Sequence, residues 1–132
     1  RKQAQLFCVD VSTQKVRWRK DLALARSLLA DSEAVYVRGQ EIVALGTDDG
    51  ERLWTSQAIG CGPLTLIDGL LHFVDTTGPG KLVAVRPRTG RKAWEVSGIQ
   101  SCDAFAKIGP TGYIKTQDGK ILALALVGAD SL

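Results

Sequence analysis

The sequence predicts an all-β protein built from repeated antiparallel units, because one pattern occurs three times with regular spacing. Each copy consists of a short apolar strand, a polar turn and a tryptophan. A small residue precedes the tryptophan by ten positions in every copy, in the pairs Cys8 and Trp18, Ala44 and Trp54, and Ala84 and Trp94. A fourth copy starts at Ala123, and the successive small residues are 36, 40 and 39 positions apart. Repeats of this length are typical of solenoids and propellers.

The first repeat predicts a hairpin. Residues 6–11 are rich in apolar side chains, and after the polar turn at residues 12–14 the segment 15–19 alternates strictly between polar and apolar residues. Strict alternation places every second side chain on the same face of a strand. We therefore expect Val16 and Trp18 to share one buried face, with the lysine and arginine side chains of this strand directed to water.

Residues 21–30 are the one segment in which a helix competes with a strand. Their leucines and alanines favour a helix, whereas the equivalent segments of the later repeats contain glycine and proline. The register of the repeat therefore predicts a strand in this segment as well.

The next two units each predict four short strands, and the last unit predicts three. Turns that contain glycine separate many of them, as is typical of antiparallel neighbours. The predicted strands of the middle units after the segment at 21–30 cover residues 34–38, 41–45, 52–54, 64–67, 70–74, 82–85 and 92–96. Those of the last unit cover residues 103–108, 113–116 and 121–127.

Counted along the chain, the units contain two, four, four and three strands. We expect a single propeller segment over residues 1–132, with about three blades' worth of four-stranded antiparallel sheets. It divides into a partial blade at 1–26, blades at 27–59 and 60–99, and a partial blade at 100–132. Incomplete sheets leave open edges, which a propeller removes by radial closure. The ends should therefore pair with each other, with another chain or with the remainder of a larger propeller.

Composition and charge exclude several functional classes. The 132 residues are 45% hydrophobic and 23% charged, and no apolar run reaches the roughly eighteen residues that span a bilayer. The net charge is +3, and the basic excess lies near the start, where Arg17, Arg19 and Lys20 surround Trp18. Such charges on a strand flank are typical of a solvated edge, so we expect no nucleic-acid partner. The chain begins at Arg1, so the lack of a visible signal peptide says little about targeting.

The three cysteines predict free thiols. Their number is odd, and none of their spacings resembles a metal site. Cys61 and Cys102 occupy similar repeat positions and should lie in neighbouring sheets. Stacked sheets are about 10 Å apart, whereas a disulfide requires Cα atoms closer than about 7 Å.

The repeat resembles the PQQ-like (quinoprotein-type) β-propeller repeat, and the resemblance covers essentially the whole chain. In that family an alanine, a glycine and a tryptophan form a tryptophan-docking motif that joins adjacent blades. The first copy, with Cys8, Gln14 and Trp18, matches in register but has cysteine for alanine and glutamine for glycine. The resemblance implies a structural docking role for Trp18, Ala44, Gly50, Trp54, Ala84, Gly90, Trp94 and Ala123.

The resemblance extends to the fold and not to the quinone cofactor. Quinoprotein dehydrogenases of this family hold PQQ between a tryptophan and two adjacent cysteines, with calcium bound by Glu, Asn and Asp. This sequence has no adjacent cysteines and no asparagine, and its three tryptophans all belong to docking motifs. We therefore expect no cofactor, no bound metal and no enzymatic activity.

The leading hypothesis is a bacterial scaffold or sensor domain that binds a protein or peptide partner. The resemblance implies such a role, as in the outer-membrane-assembly lipoprotein or the sensor domains fused to bacterial kinases, and it favours an extracytoplasmic location. Two alternatives remain open at this point. The chain could be a fragment of a quinoprotein dehydrogenase, or a self-assembling protein in which two chains close one ring.

Few polar residues qualify as site candidates. His72 is interpreted as a strand-face histidine with a local hydrogen bond, since no catalytic partner lies at a recognisable spacing. The acidic residues at 48, 49 and 51 are interpreted as an ordinary turn rather than as a calcium loop. The best candidates for a surface facing the channel precede first strands of blades, and they are Cys61, Gly62, Cys102 and Asp103.

Overall fold

The computed structural model describes residues 4–58, 62–101, 104–116 and 118–125. These residues form thirteen β-strands, and no helix occurs among them. In chain order the strands are β1 (Ala4–Asp10), β2 (Lys15–Leu22), β3 (Ser27–Ala30), β4 (Ala34–Arg38), β5 (Glu41–Gly46), β6 (Arg52–Gln57), β7 (Thr65–Ile67), β8 (Leu70–Asp75), β9 (Lys81–Val85), β10 (Lys92–Ser97), β11 (Ala104–Ile108), β12 (Thr111–Lys115) and β13 (Ile121–Ala125).

The strands pair antiparallel into four sheets that follow one another along the chain. The first sheet contains β1 and β2, the second β3 to β6, the third β7 to β10 and the fourth β11 to β13. Within each sheet the strands lie side by side in chain order, so each connection within a sheet joins neighbouring strands. The all-β fold with four-stranded antiparallel units is therefore confirmed.

The segment at residues 21–30 is extended rather than helical. Strand β2 continues through Leu22, and β3 begins at Ser27. Residues 23–26 connect the first and second sheets without regular structure. The register of the repeat thus predicted this segment better than its content of leucine and alanine.

The expectation that Val16 and Trp18 share a buried face is wrong, because a β-bulge separates them. Trp18 pairs with Cys8 and Val16 pairs with Val9, so Arg17 is an extra residue in β2. One extra residue reverses the face of every side chain beyond it. Val16 accordingly lies on the face opposite Trp18 and is 56% exposed.

Equivalent bulges occur in the second and third sheets. The extra residues are Leu53 and Ala93, and each directly precedes the tryptophan of its outer strand. A bulge increases the local twist and redirects the adjacent side chain. Because the bulge recurs at one repeat position, it belongs to the repeat and helps to orient the tryptophan.

The hydrophobic core lies between the sheets, and the third sheet buries both of its faces. One face packs on the second sheet in a cluster that includes Tyr36, Ile42, Leu71, Phe73, Val83 and Val85. The opposite face packs on the fourth sheet in a cluster that contains Val74, Leu82, Ile99 and Ile114. Successive side chains of β8 and β9 pack alternately into one cluster and the other, because neighbouring side chains along a strand point to opposite faces.

Candidate functional site

The turns before the outer strands of the first three sheets share one backbone geometry. Each contains a residue with positive φ whose amide donates a hydrogen bond to the carbonyl oxygen four residues earlier. These residues are Gln14 (φ 60°, 2.7 Å), Gly50 (φ 73°, 2.9 Å) and Gly90 (φ 74°, 2.8 Å). Positive φ suits glycine and is unfavourable for most other residues. Gln14 is therefore the exception within this set.

The indole of Trp18 extends from the first sheet to the turn of the second. Its Nε1 donates a hydrogen bond of 2.8 Å to the carbonyl oxygen of Thr47. A Cβ atom added to Gly50 would lie 2.7 Å from Cε3 of the indole, whereas carbon atoms in contact are normally at least about 3.5 Å apart. The indole therefore occupies space that exists only because residue 50 is a glycine.

Trp54 has the same relationship to the third sheet. Its Nε1 donates a hydrogen bond of 2.7 Å to the carbonyl oxygen of Pro87. A Cβ atom added to Gly90 would lie 2.6 Å from Cδ2 of the ring. The indole also approaches Tyr36 of its own sheet, with a centroid separation of 6.3 Å. The ring thus lies close both to the turn of the next sheet and to its own sheet.

The surroundings of Trp94 differ from those of the other two tryptophans. Its ring centroid lies 5.4 Å from that of His72, and its buried Nε1 has no acceptor among the described residues. The position equivalent to Thr47 and Pro87 in the fourth repeat is residue 126. This residue lies outside the part of the chain that the structure describes.

In the second and third sheets the alanine of the repeat lies between two larger residues on one face of the sheet. The cross-strand rows are Tyr36–Ala44–Trp54, His72–Ala84–Trp94 and, in the fourth sheet, Tyr113–Ala123. Ala44 and Ala84 are completely buried, whereas Ala123 is exposed. A small residue in the middle of a row allows the two flanking rings to approach each other. The rows also show that a histidine occupies the tyrosine position in the third sheet.

His72 is buried and lacks the local hydrogen bond that the sequence analysis expected. Its exposed fraction is 1%, and neither ring nitrogen has a hydrogen-bond partner of normal geometry among the described residues. Burial lowers the pKa of His72, while the nearby backbone carbonyls of Thr65 and Leu70 oppose this shift. The ring is packed against Trp94 and Phe105, with centroids 5.4 and 5.0 Å away. His72 is therefore part of the packing between two sheets.

A polar network joins the second and third sheets beside Trp54. Nη1 of Arg88 donates to the hydroxyl of Tyr36 at 2.8 Å and to Oδ2 of Asp31 at 3.2 Å. The Tyr36 hydroxyl donates to the same carboxylate oxygen at 3.0 Å, and Nε of Arg88 donates to Glu33. Charge-assisted hydrogen bonds of this kind are stronger than neutral ones.

The network shifts the pKa values of its members. Burial alone would raise the pKa of Asp31, but hydrogen bonds from two backbone amides and from Tyr36 and Arg88 lower it. Burial and the hydrogen bond to Asp31 raise the pKa of Tyr36 to about 12. Burial alone would lower the pKa of Arg88, and the carboxylates of Glu33 and Asp31 raise it. The carboxylate of Asp31 thus stays ionised to lower pH than an isolated aspartate.

Arg38 forms a second polar link between the same two sheets. This side chain, at the end of β4, is completely buried. Its Nη1 donates to the carbonyl oxygen of Gly62 at 3.4 Å, and its Nη2 donates to the carbonyl oxygen of Val74. The guanidinium carbon lies 5.7 Å from the ring centroid of Phe73. Carbonyl acceptors and an aromatic face offset part of the cost of burying a cation.

Only one of the four residues expected to face the channel lies in the described part of the chain. It is Gly62, whose carbonyl oxygen accepts the hydrogen bond from Arg38. Cys61, Cys102 and Asp103 lie outside the described residues. The expectation for all four residues stays a prediction.

The acidic turn of the second sheet makes ordinary turn contacts. Oδ1 of Asp49 accepts a hydrogen bond of 3.0 Å from the amide of Glu51, and Asp48 pairs with Arg17 at 3.5 Å. Nowhere in residues 4–58, 62–101, 104–116 or 118–125 do three metal-ligating side chains cluster. The same ranges contain no helix long and apolar enough to cross a membrane.

The first and fourth sheets each expose apolar side chains on their outward faces. In the first sheet these are Phe7, Val9 and Val16, with exposed fractions of 47, 50 and 56%. In the fourth sheet they are Ile108, Tyr113 and Ile121, with exposed fractions of 73, 42 and 74%. Apolar faces of this kind are suited to contact with a further sheet or with another protein.

Successive antiparallel sheets, joined by tryptophans that reach from an outer strand to the next turn, define a segment of a repeat-built β-propeller. A family model described as outer membrane protein assembly factor BamB matches residues 1–102. Because the match covers more than half of the 132 residues, the chain belongs to this family of PQQ-like propeller repeats. The resemblance stated from the sequence is confirmed.

Solved structures agree with this assignment at the level of the fold. BamB from Moraxella catarrhalis superposes with a TM-score of 0.75 at 18% identity, over 92% of this chain and 40% of that one. Quinohemoprotein alcohol dehydrogenase from Comamonas testosteroni superposes with a TM-score of 0.67 at 14% identity, over 92% of this chain and 30% of that one. The computationally designed Ika4 protein superposes with a TM-score of 0.68 at 14% identity, over 89% of this chain and 77% of that one.

These similarities leave the function of the whole protein open. The chain spans about 40% of the length of the BamB structure that it matches. A comparison with curated protein sequences gives no significant match. At identities below 20%, the structural likeness shows the fold alone.

Proposed function

We propose that the chain is a non-catalytic propeller segment that binds a protein or peptide partner in an extracytoplasmic compartment of a bacterium. The observation that carries this proposal is the family match to outer membrane protein assembly factor BamB over residues 1–102. The likeness to BamB from Moraxella catarrhalis supports it at the level of the fold. On this proposal the segment contributes a shaped surface and performs no chemical step.

The proposal assigns a structural role to the docking residues. Trp18, Trp54 and Trp94 hold neighbouring blades together, and the alanines of the cross-strand rows make room for the rings. The support is the pair of indole hydrogen bonds to Thr47 and Pro87, of 2.8 and 2.7 Å. Because these tryptophans are engaged in packing, the binding surface lies elsewhere.

We place the binding surface on the first strands of the second, third and fourth sheets. Strands β3, β7 and β11 lie at the edges of their sheets, and an edge strand can pair with an extended peptide. Leu28 of β3 and Ile108 of β11 are 58% and 73% exposed, which suits apolar side chains of a partner. The segments that precede β7 and β11 belong to the same surface in this proposal, with Cys61, Gly62, Cys102 and Asp103.

Site-specific photocrosslinking tests this placement. A photoreactive amino acid is introduced at position 28, at position 108 or, as a control, at Val11, which is 86% exposed in the turn of the first sheet. We expect one defined protein to be crosslinked from positions 28 and 108 and not from position 11. In the protein that carries the photoreactive residue at position 108, the additional substitution Leu28→Glu should weaken the crosslink. Equal yields from all three positions would contradict the placement.

The competing function is that of a quinoprotein dehydrogenase fragment. It is favoured by the structural matches to quinohemoprotein alcohol dehydrogenases, with TM-scores of 0.67. Reconstitution with PQQ and calcium distinguishes the two functions. The scaffold proposal expects no quinone absorption band in the purified protein and no dye reduction with alcohols. Stoichiometric quinone binding with dye reduction above the buffer rate would favour the enzyme.

A further inference from the structure

We propose that His72 makes the junction between the third and fourth sheets sensitive to acid, so that this junction opens as the pH falls. The junction between the second and third sheets stays closed under the same conditions. The proposal rests on where His72 lies and on what surrounds its ring. It does not depend on which partner the propeller binds.

The ring of His72 forms part of the contact between the two sheets. It projects from β8 of the third sheet, and its centroid lies 5.0 Å from that of Phe105 in β11 of the fourth. Trp94 of the outer strand β10 lies 5.4 Å away on another side. The ring is 1% exposed. A charge on this imidazole would therefore be placed directly in the packed junction.

The equivalent residue of the preceding junction does not titrate in acid. Tyr36 pairs with Ala44 as His72 pairs with Ala84, so the two rings occupy the same place in their rows. The hydroxyl of Tyr36 is held by Asp31 and Arg88. A phenol stays neutral at acidic and neutral pH. Among the described rows, the third is therefore the one that places between two sheets a ring that gains a charge in acid.

The backbone carbonyls of Thr65 and Leu70 favour the charged form of His72, but burial of the ring outweighs them. The side chains that enclose the small space beside the ring are uncharged, and they belong to Pro63, Thr65, Phe73, Val74, Leu82 and Phe105. The charged groups that act on His72 are Lys107 of β11 and Asp68 of the β7–β8 turn. Their effects are opposite, and Nζ of Lys107 lies 2.6 Å from Oδ2 of Asp68. Desolvation therefore dominates, and it lowers the pKa of His72.

The direction of the pH effect follows from proton binding. Because the pKa is lowered in the closed junction, the closed form binds fewer protons than the open form, in which the ring meets water. Opening therefore becomes more favourable as the pH falls below about 6.5, the ordinary value for histidine. If the closed form takes up no proton, the opening constant rises up to about 30-fold between about pH 7.5 and about pH 5.

Amide hydrogen exchange measures this opening in the unmodified chain, in which His72 is the only histidine. Rates are corrected for intrinsic exchange at each pH. We expect the opening constant for amides of β11 and β12 to rise up to about 30-fold between about pH 7.5 and about pH 5. The amides of β4 and β5 should remain the better protected ones at both pH values. Equal protection in both regions at the lower pH would overturn the proposal of a local opening.

His72→Tyr is the matched variant, because it restores the residue found at Tyr36 and Tyr113 in the other rows. The pH dependence of exchange at β11 and β12 should largely disappear in this variant. If the variant does not fold, the NMR titration of the single histidine in the unmodified chain decides the matter. An imidazole that titrates at its ordinary pKa while keeping its contacts to Trp94 and Phe105 would overturn the proposal.

Discussion

The indole of Trp54 lies so close to Gly90 that a Cβ atom on residue 90 would be 2.6 Å from the ring. The two residues belong to consecutive sheets, and the indole nitrogen also bonds to Pro87 in the same turn. Trp18 and Gly50 repeat this relationship one sheet earlier. A tryptophan in one sheet therefore restricts which residue the next sheet can carry at its turn.

Gly90→Ala should destabilise the protein by about 2 to 4 kcal/mol. The methyl group would clash with Trp54, and an L-residue at positive φ adds about 1 to 2 kcal/mol of strain. Urea unfolding followed by far-UV circular dichroism measures the change. Gly69→Ala is the matched control, because Gly69 has φ of 76° but no atom within 4 Å of its added Cβ. Equal losses in the two variants would show that contact with the indole does not matter.

Trp54→Ala should cost roughly 3 to 5 kcal/mol, the range for truncation of a large packed side chain. It removes both the ring contact with Tyr36 and the hydrogen bond to Pro87. Arg52→Ala, an exposed neighbour on the same strand, should cost less than about 0.5 kcal/mol. Thermal unfolding compares the two, and an unchanged melting temperature for Trp54→Ala would rule out the docking role.

Asp31→Asn should destabilise the protein at neutral pH by about 1 to 2 kcal/mol, because Asp31 accepts charge-assisted hydrogen bonds. The pKa of Asp31 is lowered in the folded protein, so its contribution is present above about pH 3.9 and is lost as the pH falls through the folded pKa. Urea unfolding at several pH values should therefore show the variant converging on the wild type in acid.

Asp48→Asn is the control for this pH effect. Asp48 pairs with Arg17 at 3.5 Å, but its side chain is 93% exposed, and such pairs contribute between zero and about 1 kcal/mol. The control should lie close to the wild type throughout. A destabilisation by Asp31→Asn that stays constant down to about pH 2 would mean that the carboxylate charge is unimportant.

The isolated chain should associate in a concentration-dependent manner through its outward apolar faces. Val9→Lys places a charge on the face that also carries Phe7 and Val16, and it should weaken this association. Val11→Lys, in the exposed turn, should not. Sedimentation velocity over a range of concentrations measures the effect. A monomer at every concentration, with or without Val9→Lys, would contradict the expectation.

The sheets could be predicted from the sequence because their signals are local. Alternation, turn residues and the ten-residue spacing before each tryptophan predict most of the strands and their order, although β2 and β6 each continue three residues beyond their predicted ends. The bulges could not be predicted in this way. They depend on which cross-strand pairs form, and the strict alternation at Val16 and Trp18 suggested the wrong face for Val16.

The role of His72 was missed for a related reason. Its equivalence to Tyr36 is defined by pairing with an alanine in the next strand. The loop between these strands is longer in the third sheet than in the second, so counting along the chain does not align the two residues. Whether His72 forms a hydrogen bond depends on the side chains around it, and these are mainly aromatic and aliphatic. They come from different strands and could not be identified from the sequence next to His72.

Gln14 distinguishes the first sheet from the second and third, which have glycine at the equivalent turn position. Its backbone has the positive φ of Gly50 and Gly90, but its side chain begins where an indole would otherwise rest. A tryptophan that docked here as Trp18 docks at Gly50 would clash with the Cβ atom of Gln14. The turn of the first sheet therefore does not accept the kind of tryptophan contact that joins the first three sheets to one another.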